Sequence, residues 1–233
     1  MPRIVRPLQT TRSEHWLRRA VNECPEYLDT KISAALGFSA SEKIVWRSPI
    51  RDDDYAEYRD QEFLDRLGLP PLAVPLGSFW PPRGPRWDGL ARTSSGKYIL
   101  VEAKAYIEEA VDYRSHATDE NSLKQIWMSL AQAKEAFGAT KEAPWNSPLY
   151  QYTNRLAHLY YLRGLNDIDA YMVFVYFANA PDVPERKRCT PEEWRGAIRL
   201  ARKCVGLQDN KLSRRIVELI LGVQDLLVQL GGQ

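Results

Sequence analysis

Cysteine and histidine are scarce in this chain of 233 residues, which contains three of each. Cys24, Cys189 and Cys204 lie far apart and show no CxxC spacing, so neither a disulfide framework nor a zinc site is expected. The histidines form no HExxH or HxH motif. This cysteine usage favours a reducing compartment, and we expect a cytoplasmic protein.

Long apolar runs and nucleotide-binding signatures are also missing. No apolar run reaches the roughly 18 residues that span a bilayer, and the first residues lack the apolar core of a secretory signal. We therefore expect no membrane partner. The sequence contains no Walker loop, no GxGxxG motif and no GxSxG motif. It therefore gives no indication of a nucleotide cofactor or of serine hydrolysis.

The composition is that of a soluble globular protein, with 44% hydrophobic residues, 27% charged residues and a net charge of +2. The length predicts a single domain over residues 1–233. The charge is unevenly distributed, since residues 51–66 have a net charge of −4, residues 185–215 of +6 and residues 1–20 of +4. An acidic stretch that suits a cation thus lies between basic segments that suit phosphates.

Periodicity predicts a mixed sheet flanked by helices, an α/β (α+β) fold. Strands are predicted near residues 43–49 and 167–179, and as a hairpin over residues 86–106. The predicted helices cover residues 14–24, 25–37, 54–68, 122–138, 148–163, 191–206 and, at the end, Lys211 to Leu230. Residues 1–40 and 185–233 are thus expected to be appended helical segments.

The predicted hairpin contains the candidate catalytic residues. Side chains of a strand alternate between faces, so Glu102 and Lys104 share one face of an otherwise apolar strand. A three-residue turn at Ser94–Gly96 predicts that Asp88 lies opposite Glu102, at about 5 Å between Cβ atoms. Two opposed carboxylates repel each other, so their pairing is reasonable where a divalent cation lies between them. Lys104 would then lie near an attacked phosphate.

Asp88 followed by Glu102-Ala103-Lys104 after a short hairpin resembles the PD-(D/E)XK nuclease superfamily, with Trp87 where the signature has proline. The resemblance implies an α-β-β-β-α-β core, here over residues 52–178, and hydrolysis of DNA. It implies Mg²⁺, with Mn²⁺ as a substitute, held by Asp88, Glu102 and the Ala103 carbonyl. It further implies that Lys104 positions or activates the attacking water. A homodimer that cuts both strands is left open.

The superfamily often adds a carboxylate from the helix before the sheet, and Glu57, Asp60 and Glu62 are the candidates. We prefer Glu57 as the further metal ligand, because it borders the apolar helical face that Phe63 and Leu67 define. The alternative is a solvated charge on the helix.

Nucleic-acid contacts are expected on two predicted helices. Gln151 and Arg155 are one turn apart, as a downstream helical glutamine in related nucleases suggests, and Lys124 and Gln125 lie on the preceding helix. A glutamine and an arginine so placed suit a phosphate, because arginine offers a planar fork of donors. The alternative is that all four are ordinary polar residues of helix surfaces.

The sequence thus predicts a divalent-metal-dependent nuclease that acts on DNA through a metal-activated water. A second hypothesis is a nucleic-acid-binding protein on the same fold with weak or no catalysis. A third is an unrelated α/β interaction protein, in which Asp88 is a turn residue while Glu102 and Lys104 are charges that protect an edge strand from aggregation.

Overall fold

Two layers of helices enclose a five-stranded mixed sheet in the computed structural model, which describes residues 3–5, 11–111, 115 and 117–231. The helices are α1 (Arg12–Glu23), α2 (Pro25–Leu36), α3 (Gln61–Leu67), α4 (Leu76–Phe79), α5 (Ile107–Ala110), α6 (Glu120–Ala136), α7 (Tyr150–Tyr160), α8 (Pro191–Cys204) and α9 (Val223–Gly231). The strands are β1 (Arg3–Ile4), β2 (Ile44–Ser48), β3 (Glu57–Tyr58), β4 (Gly89–Thr93), β5 (Tyr98–Lys104), β6 (Ala170–Ala178) and β7 (Ile216–Gly222).

The main sheet has the strand order β2-β4-β5-β6-β7. The pairs β2–β4 and β4–β5 are antiparallel, whereas β5–β6 and β6–β7 are parallel. All residues of β5 and β6 are buried, as expected for central strands with helices on both faces. The predicted mixed sheet flanked by helices is confirmed.

The alternation of side chains along β5 divides the core into two halves. Ile99, Val101 and Ala103 pack with residues of α1, α2 and α9 on one face of the sheet. Tyr98 and Leu100 face the opposite side, where α3, α6, α7 and α8 contribute to the core. Glu102 and Lys104 follow on this second face, which therefore contains the charged residues of the strand.

Several predicted elements are confirmed. Pro25 begins α2, and Gly37 ends it with a left-handed φ of 65°. The Gly37 amide donates to the Ala34 and Ser33 carbonyls. Strand β2 and helices α6, α7 and α8 form where the periodicity indicates, although a π-helical turn over Tyr161–Leu165 extends α7.

The predicted helix over residues 54–68 is wrong in its first half. Asp54, Tyr55 and Asp60 have positive φ angles of 52°, 54° and 54°, which interrupt a right-handed helix. Residues Glu57–Tyr58 instead form the short strand β3, which pairs with β1, and only Gln61–Leu67 are helical. Glu57 is therefore on a strand rather than on the predicted helix.

The predicted final helix from Lys211 to Leu230 is also wrong in part. Residues Ile216–Gly222 form β7, which pairs in parallel with β6 as an edge strand of the sheet. The sequence IVELILG favours a strand once a buried neighbour is available, because its branched side chains pack well on a pleated surface. Only Val223–Gly231 are helical at this end, so residues 185–233 are not the purely helical segment that was predicted.

Both edge strands of the sheet lie outside residues 52–178. Strand β2 precedes this interval and β7 follows it. The sheet therefore joins the interval to the segments on both sides. Within the described residues, no helix has the combination of length and apolar character that crossing a bilayer requires.

A buried histidine lies in the aromatic part of the core below the charged face of β5. His158 is 1% exposed, its Nδ1 lies 2.8 Å from the Asn154 carbonyl oxygen, and the rings of Trp80 and Trp87 surround it. Burial lowers the pKa of His158 to about 3. At neutral pH the imidazole is therefore uncharged.

The free energy of unfolding should depend on this histidine below pH 6.5. The unfolded chain binds a proton at His158 near pH 6.5 and the folded chain only near pH 3, so stability falls by up to about 1.4 kcal/mol per pH unit between these values. In urea unfolding from pH 6.5 to pH 4.5, we expect the free energy of unfolding of His158→Gln to fall less steeply with decreasing pH than that of the wild type, by up to about 1.4 kcal/mol per pH unit. Equal slopes for the two proteins would contradict the assignment.

Candidate active site

The hairpin of β4 and β5 brings the first two predicted site residues together. Its pairs Gly89–Val101 and Arg92–Tyr98 define a register that, continued by one residue, places Asp88 opposite Glu102. The turn at Ser94–Gly96 sets this register, since the Thr93 amide donates to the Lys97 carbonyl at 2.8 Å. The predicted register is confirmed. Asp88 Oδ2 also accepts a hydrogen bond from the Ala103 amide at 2.8 Å, which orients its carboxylate.

A third carboxylate lies on the other side of Asp88. Tyr58 and Trp87 form an isolated antiparallel bridge, in which the Trp87 amide donates to the Tyr58 carbonyl at 3.0 Å. Continued by one residue, this bridge places Glu57 opposite Asp88. Glu57, Asp88 and Glu102 thus form a row of carboxylates across three neighbouring segments, and both glutamates are close enough to Asp88 to raise its pKa.

The Glu102 carboxylate is held by two cations. Its Oε1 pairs with Lys104 Nζ, and its Oε2 accepts from Arg155 Nε at 2.7 Å. Glu102 is 2% exposed. Burial alone would raise its pKa, but the charges of Arg155 and Lys104 outweigh burial and lower the pKa below its usual range. Glu102 is therefore ionised at neutral pH.

Asp88 has the opposite electrostatic environment. Burial raises its pKa well above the ordinary value, and the charges of Glu102 and Glu57 raise it further. Lys104 and the hydrogen bond from the Ala103 amide compensate only in part. The positive charge near Asp88 is therefore too small to offset its burial and the neighbouring carboxylates.

Lys104 remains protonated in this environment. Burial would lower the pKa of the ammonium group, but Glu102, Asp88 and Glu109 raise it above its ordinary value. Lys104 can therefore donate hydrogen bonds and offset negative charge at neutral pH, and it is not a proton acceptor there.

Arg155 is a buried bridge between three parts of the chain. It is 3% exposed and donates from Nε to Glu102, from Nη1 to Asn154 Oδ1 at 2.7 Å and from Nη2 to the Arg86 carbonyl at 2.8 Å. Its guanidinium also lies 5.0 Å from the centroid of the Trp87 ring. Arg155 is therefore not the ordinary helix-surface residue of the alternative, because it is buried and donates to groups inside the protein. Its contact with phosphate stays a prediction.

One cavity of about 1070 Å³ contains most of the predicted site. Its lining includes Glu57, Asp88, Glu102, Lys104, Gln151 and Arg155. Gln151 is half-buried in the wall, one turn before Arg155. Ala103 contributes its amide to Asp88, while its methyl group packs on the opposite face of the sheet.

Lys124 and Gln125 do not belong to this cavity. They line a separate depression of about 180 Å³ between α4 and α6, where Gln125 Nε2 donates to the Gly77 carbonyl at 2.7 Å. Lys124 lies on the side of α6 away from Ser122 and Ile126, which face the large cavity, and Gln125 lies between the two sides.

Three further cavity residues were not predicted. Arg86 pairs with Glu57 at 3.3 Å, and Glu109 accepts from Ser13 Oγ at 2.8 Å and from the Ala105 amide at 2.7 Å. Arg86 lies two residues before Asp88, so alternation was a signal for it. Asn154, adjacent to Arg155, and Glu109 gave no signal, because their positions depend on the packing of α7 and α5.

The remaining acidic candidates have other positions. Asp60 holds the loop that precedes β4, since it accepts from the Arg83 amide at 3.1 Å and from the Gly84 amide at 2.8 Å. Neither Asp60 nor Glu62 lines the cavity. The basic segment 185–215 does not line it either, whereas Arg12, Arg59, Arg83 and Arg86 do.

The side chains of the carboxylate row are not oriented to bind one metal ion together. As placed, the side chains of the described residues include no group of three or more His, Cys, Asp or Glu that could hold a metal ion. The ion pairs explain this, because Glu102 is turned towards Lys104 and Arg155 while Glu57 pairs with Arg86. The donor chemistry itself fits a hard divalent cation, since it consists of carboxylate oxygens around an aspartate whose burial and neighbouring carboxylates outweigh the nearby positive charge.

Comparisons of the chain with protein-family models, with curated proteins and with solved structures found no match. The PD-(D/E)XK resemblance is therefore a hypothesis that depends on the residues of this chain alone.

Asp88→Asn should stabilise the protein in the absence of metal. Because the folded state raises the pKa of Asp88, the ionised carboxylate costs stability above that pKa, and the cost vanishes as the pH falls below the unfolded value near 4. Asparagine removes the charge and still accepts from the Ala103 amide. We expect a higher melting temperature in chelator at pH 7.5, by about 2–4 °C for each kcal/mol of relieved repulsion.

The matched control is Asp52→Asn, which changes an exposed carboxylate that does not line the cavity. Its melting temperature should stay close to that of the wild type. A lower melting temperature for Asp88→Asn than for this control at pH 7.5 would contradict the claim that the ionised Asp88 carboxylate destabilises the fold.

Arg155→Met should destabilise the fold strongly. Removal of one partner of a buried ion pair leaves an uncompensated charge, here Glu102, at a cost of about 3–5 kcal/mol. The double variant Arg155→Met with Glu102→Gln removes that charge and should recover part of the loss in urea unfolding. If Arg155→Met alone costs less than 1 kcal/mol, Arg155 does not hold Glu102 as described.

Proposed function

We propose that this protein is a divalent-metal-dependent nuclease of the PD-(D/E)XK type. One observation carries the proposal: Asp88, between Glu57 and Glu102 in a carboxylate row, shares its cavity with a protonated Lys104. A nuclease needs oxygen ligands for a cation and a nearby positive charge for the phosphate, and this cavity offers both.

The order of elements supports the finer proposal of a restriction-endonuclease-like fold. After α1 and α2, the antiparallel strands β2, β4 and β5 are followed by α6 and α7, and then by β6 parallel to β5. This order agrees with the α-β-β-β-α-β core that the resemblance implies. The supporting elements extend from Arg12 to Ala178, so they begin before residue 52.

Asp88, Glu102 and Glu57 are the proposed metal ligands, together with the Ala103 carbonyl. A bound Mg²⁺ supplies charge neutralisation at the phosphate and a lower pKa for a coordinated water. Asp88 is the most available ligand, because it pairs with no cation at hydrogen-bond distance among the described residues, whereas Glu102 and Glu57 both do. For Glu102 to join it, Lys104 or Arg155 must release one carboxylate oxygen.

Lys104 is proposed to orient the attacking water and to offset the charge that develops on the phosphate. Because its pKa is raised, it acts as a donor and a cation and does not take a proton from the water. Arg155 is a positioning residue. It fixes Glu102 against the segment before β4, and thereby sets the separation of Glu102 from Asp88.

A nucleic-acid-binding protein without catalysis is the second candidate. It is favoured by one observation, namely that Lys104 and Arg155 already neutralise Glu102, as they would in a site that needs no metal. The two candidates differ in whether phosphodiester cleavage depends on a divalent ion.

Cleavage of plasmid and of single-stranded DNA with Mg²⁺ or Mn²⁺, measured against a chelator control, tests the proposal. We expect the wild type to cleave the single-stranded DNA only with metal, with the plasmid as the duplex comparison, and we expect a loss of about 100-fold or more for Lys104→Gln, as for other donors aimed at developing charge. Asp88→Asn should lose activity as well, while its expected gain in stability shows that it folds.

Lys211→Gln is the matched control, since it removes an exposed lysine that does not line the cavity. It should keep wild-type activity. Cleavage that survives the chelator, or that survives both Lys104→Gln and Asp88→Asn, contradicts a metal-dependent nuclease. Binding of DNA without cleavage by the wild type favours the second candidate.

A further inference from the structure

The groups that would react are recessed in the protein. Glu102, Glu57 and Lys104 are 2%, 3% and 7% exposed although all three line the cavity. The cavity volume of about 1070 Å³ is near the upper limit of pockets that enclose a small molecule, about 300–1,000 Å³. A phosphate can reach these groups only if its strand enters the cavity.

Two segments line the cavity beside these groups. One consists of Thr11–Glu14 at the start of α1, which Ser13 joins to Glu109. The other contains Ala117–Asp119 and the first turns of α6, where Asp119 accepts from the Ser122 amide at 2.8 Å. A duplex presents its phosphates on a cylinder wider than its own major groove of about 12 Å, whereas an unpaired strand can bend towards recessed groups.

Two arginines of the cavity have donors that the protein does not use. Arg83 is exposed, and its guanidinium makes no hydrogen bond or ion pair with the described part of the chain. Arg59 Nε is buried without a hydrogen-bond partner among the same residues, and its nearest carboxylate oxygen, Asp60 Oδ2, is 3.7 Å away. Free guanidinium donors suit phosphate oxygens, which accept from them in a fork.

Asp60 connects the two backbone segments that carry these arginines. It neighbours Arg59 in the chain, and its carboxylate accepts from the Arg83 and Gly84 amides. Its own φ of 54° is a strained conformation for a residue other than glycine, and such strain is concentrated at functional sites. The loop from Pro81 to Arg86 contains three prolines, which further limit its freedom.

We propose that the cavity takes a single strand of nucleic acid, whose backbone phosphates lie against Arg59 and Arg83, and that it does not accept an intact duplex. This inference deepens the proposed function and rests on one part of it, namely that the cavity binds a phosphodiester. The enclosed carboxylates set the preference for an unpaired strand, and the two arginines supply contacts that are independent of base sequence.

Fluorescence polarisation in chelator tests this inference without cleavage. The probes are a labelled single-stranded oligonucleotide, the blunt duplex of the same sequence and the same duplex with a single-stranded tail. We expect the blunt duplex to bind about 10- to 100-fold more weakly than the single strand, because it must first be opened. The tailed duplex should bind like the single strand.

Arg83→Gln keeps a long polar side chain and removes the charge. It should weaken single-strand binding and reduce the slope of log affinity against log salt by about 0.7, the value for one lost phosphate contact on a single strand. Arg59→Gln should act in the same way. The matched control is Arg199→Gln on α8, an exposed arginine outside the cavity, which should change neither quantity.

The outcomes separate this inference from the proposed function. Binding of the blunt duplex as tightly as the single strand overturns the inference, as does an equal effect of Arg83→Gln and Arg199→Gln. The expected binding pattern without metal-dependent cleavage supports the inference and overturns the nuclease. Cleavage of blunt duplex at the rate of single strand overturns the inference and leaves the nuclease intact.

Discussion

The register of the β4–β5 hairpin is the constraint on which the site depends. It places Asp88 opposite Glu102 and orients the Asp88 carboxylate through the Ala103 amide. A shift by one residue would turn Glu102 and Lys104 to the face that α1 and α2 cover, where two charges would be buried in an apolar layer. The turn at Ser94–Gly96 and the packing of both faces therefore determine the chemistry together.

The charges around this pair neutralise two of the three neighbouring carboxylates and leave the third without a paired cation. Arg155 and Lys104 neutralise Glu102, and Arg86 pairs with Glu57, so the fold tolerates two buried acids. Asp88 has no comparable partner, and burial, followed by the charges of Glu102 and Glu57, raises its pKa. This imbalance is typical of functional sites, where perturbed titratable groups are concentrated, and a divalent cation is the partner that would relieve it.

Much of this site was accessible from sequence, because it depends on local rules. Alternation along β5 and the length of the turn predict the face and the register, and Gly37 and Pro25 predict the bounds of α2. The errors concern long-range pairing. Glu57 lies on a strand because residues 57–58 pair with β1, and β7 forms because β6 offers a buried neighbour. Helical periodicity could not reveal either partner.

The buried position of Arg155 was hidden for the same reason. One turn of helix relates it to Gln151, but only the packing of α7 against β5 decides that Arg155 faces Glu102. Of the cavity arginines, Arg12 belongs to the basic segment 1–20, whereas Arg59, Arg83 and Arg86 lie outside the basic segments. Arg59 belongs to the most acidic stretch of the chain, and Asp60 connects it to Arg83 in space. Net charge along the sequence therefore does not locate most arginines of the cavity.

The central claim is that the Asp88–Glu102 pair is a site for a divalent cation. Titration of the protein with Mn²⁺ by isothermal calorimetry, without nucleic acid, tests it most directly. The account predicts one site in the wild type that Asp88→Asn abolishes and Asp52→Asn leaves unchanged. Absence of Mn²⁺ binding by the wild type, or equal binding by Asp88→Asn, would contradict it.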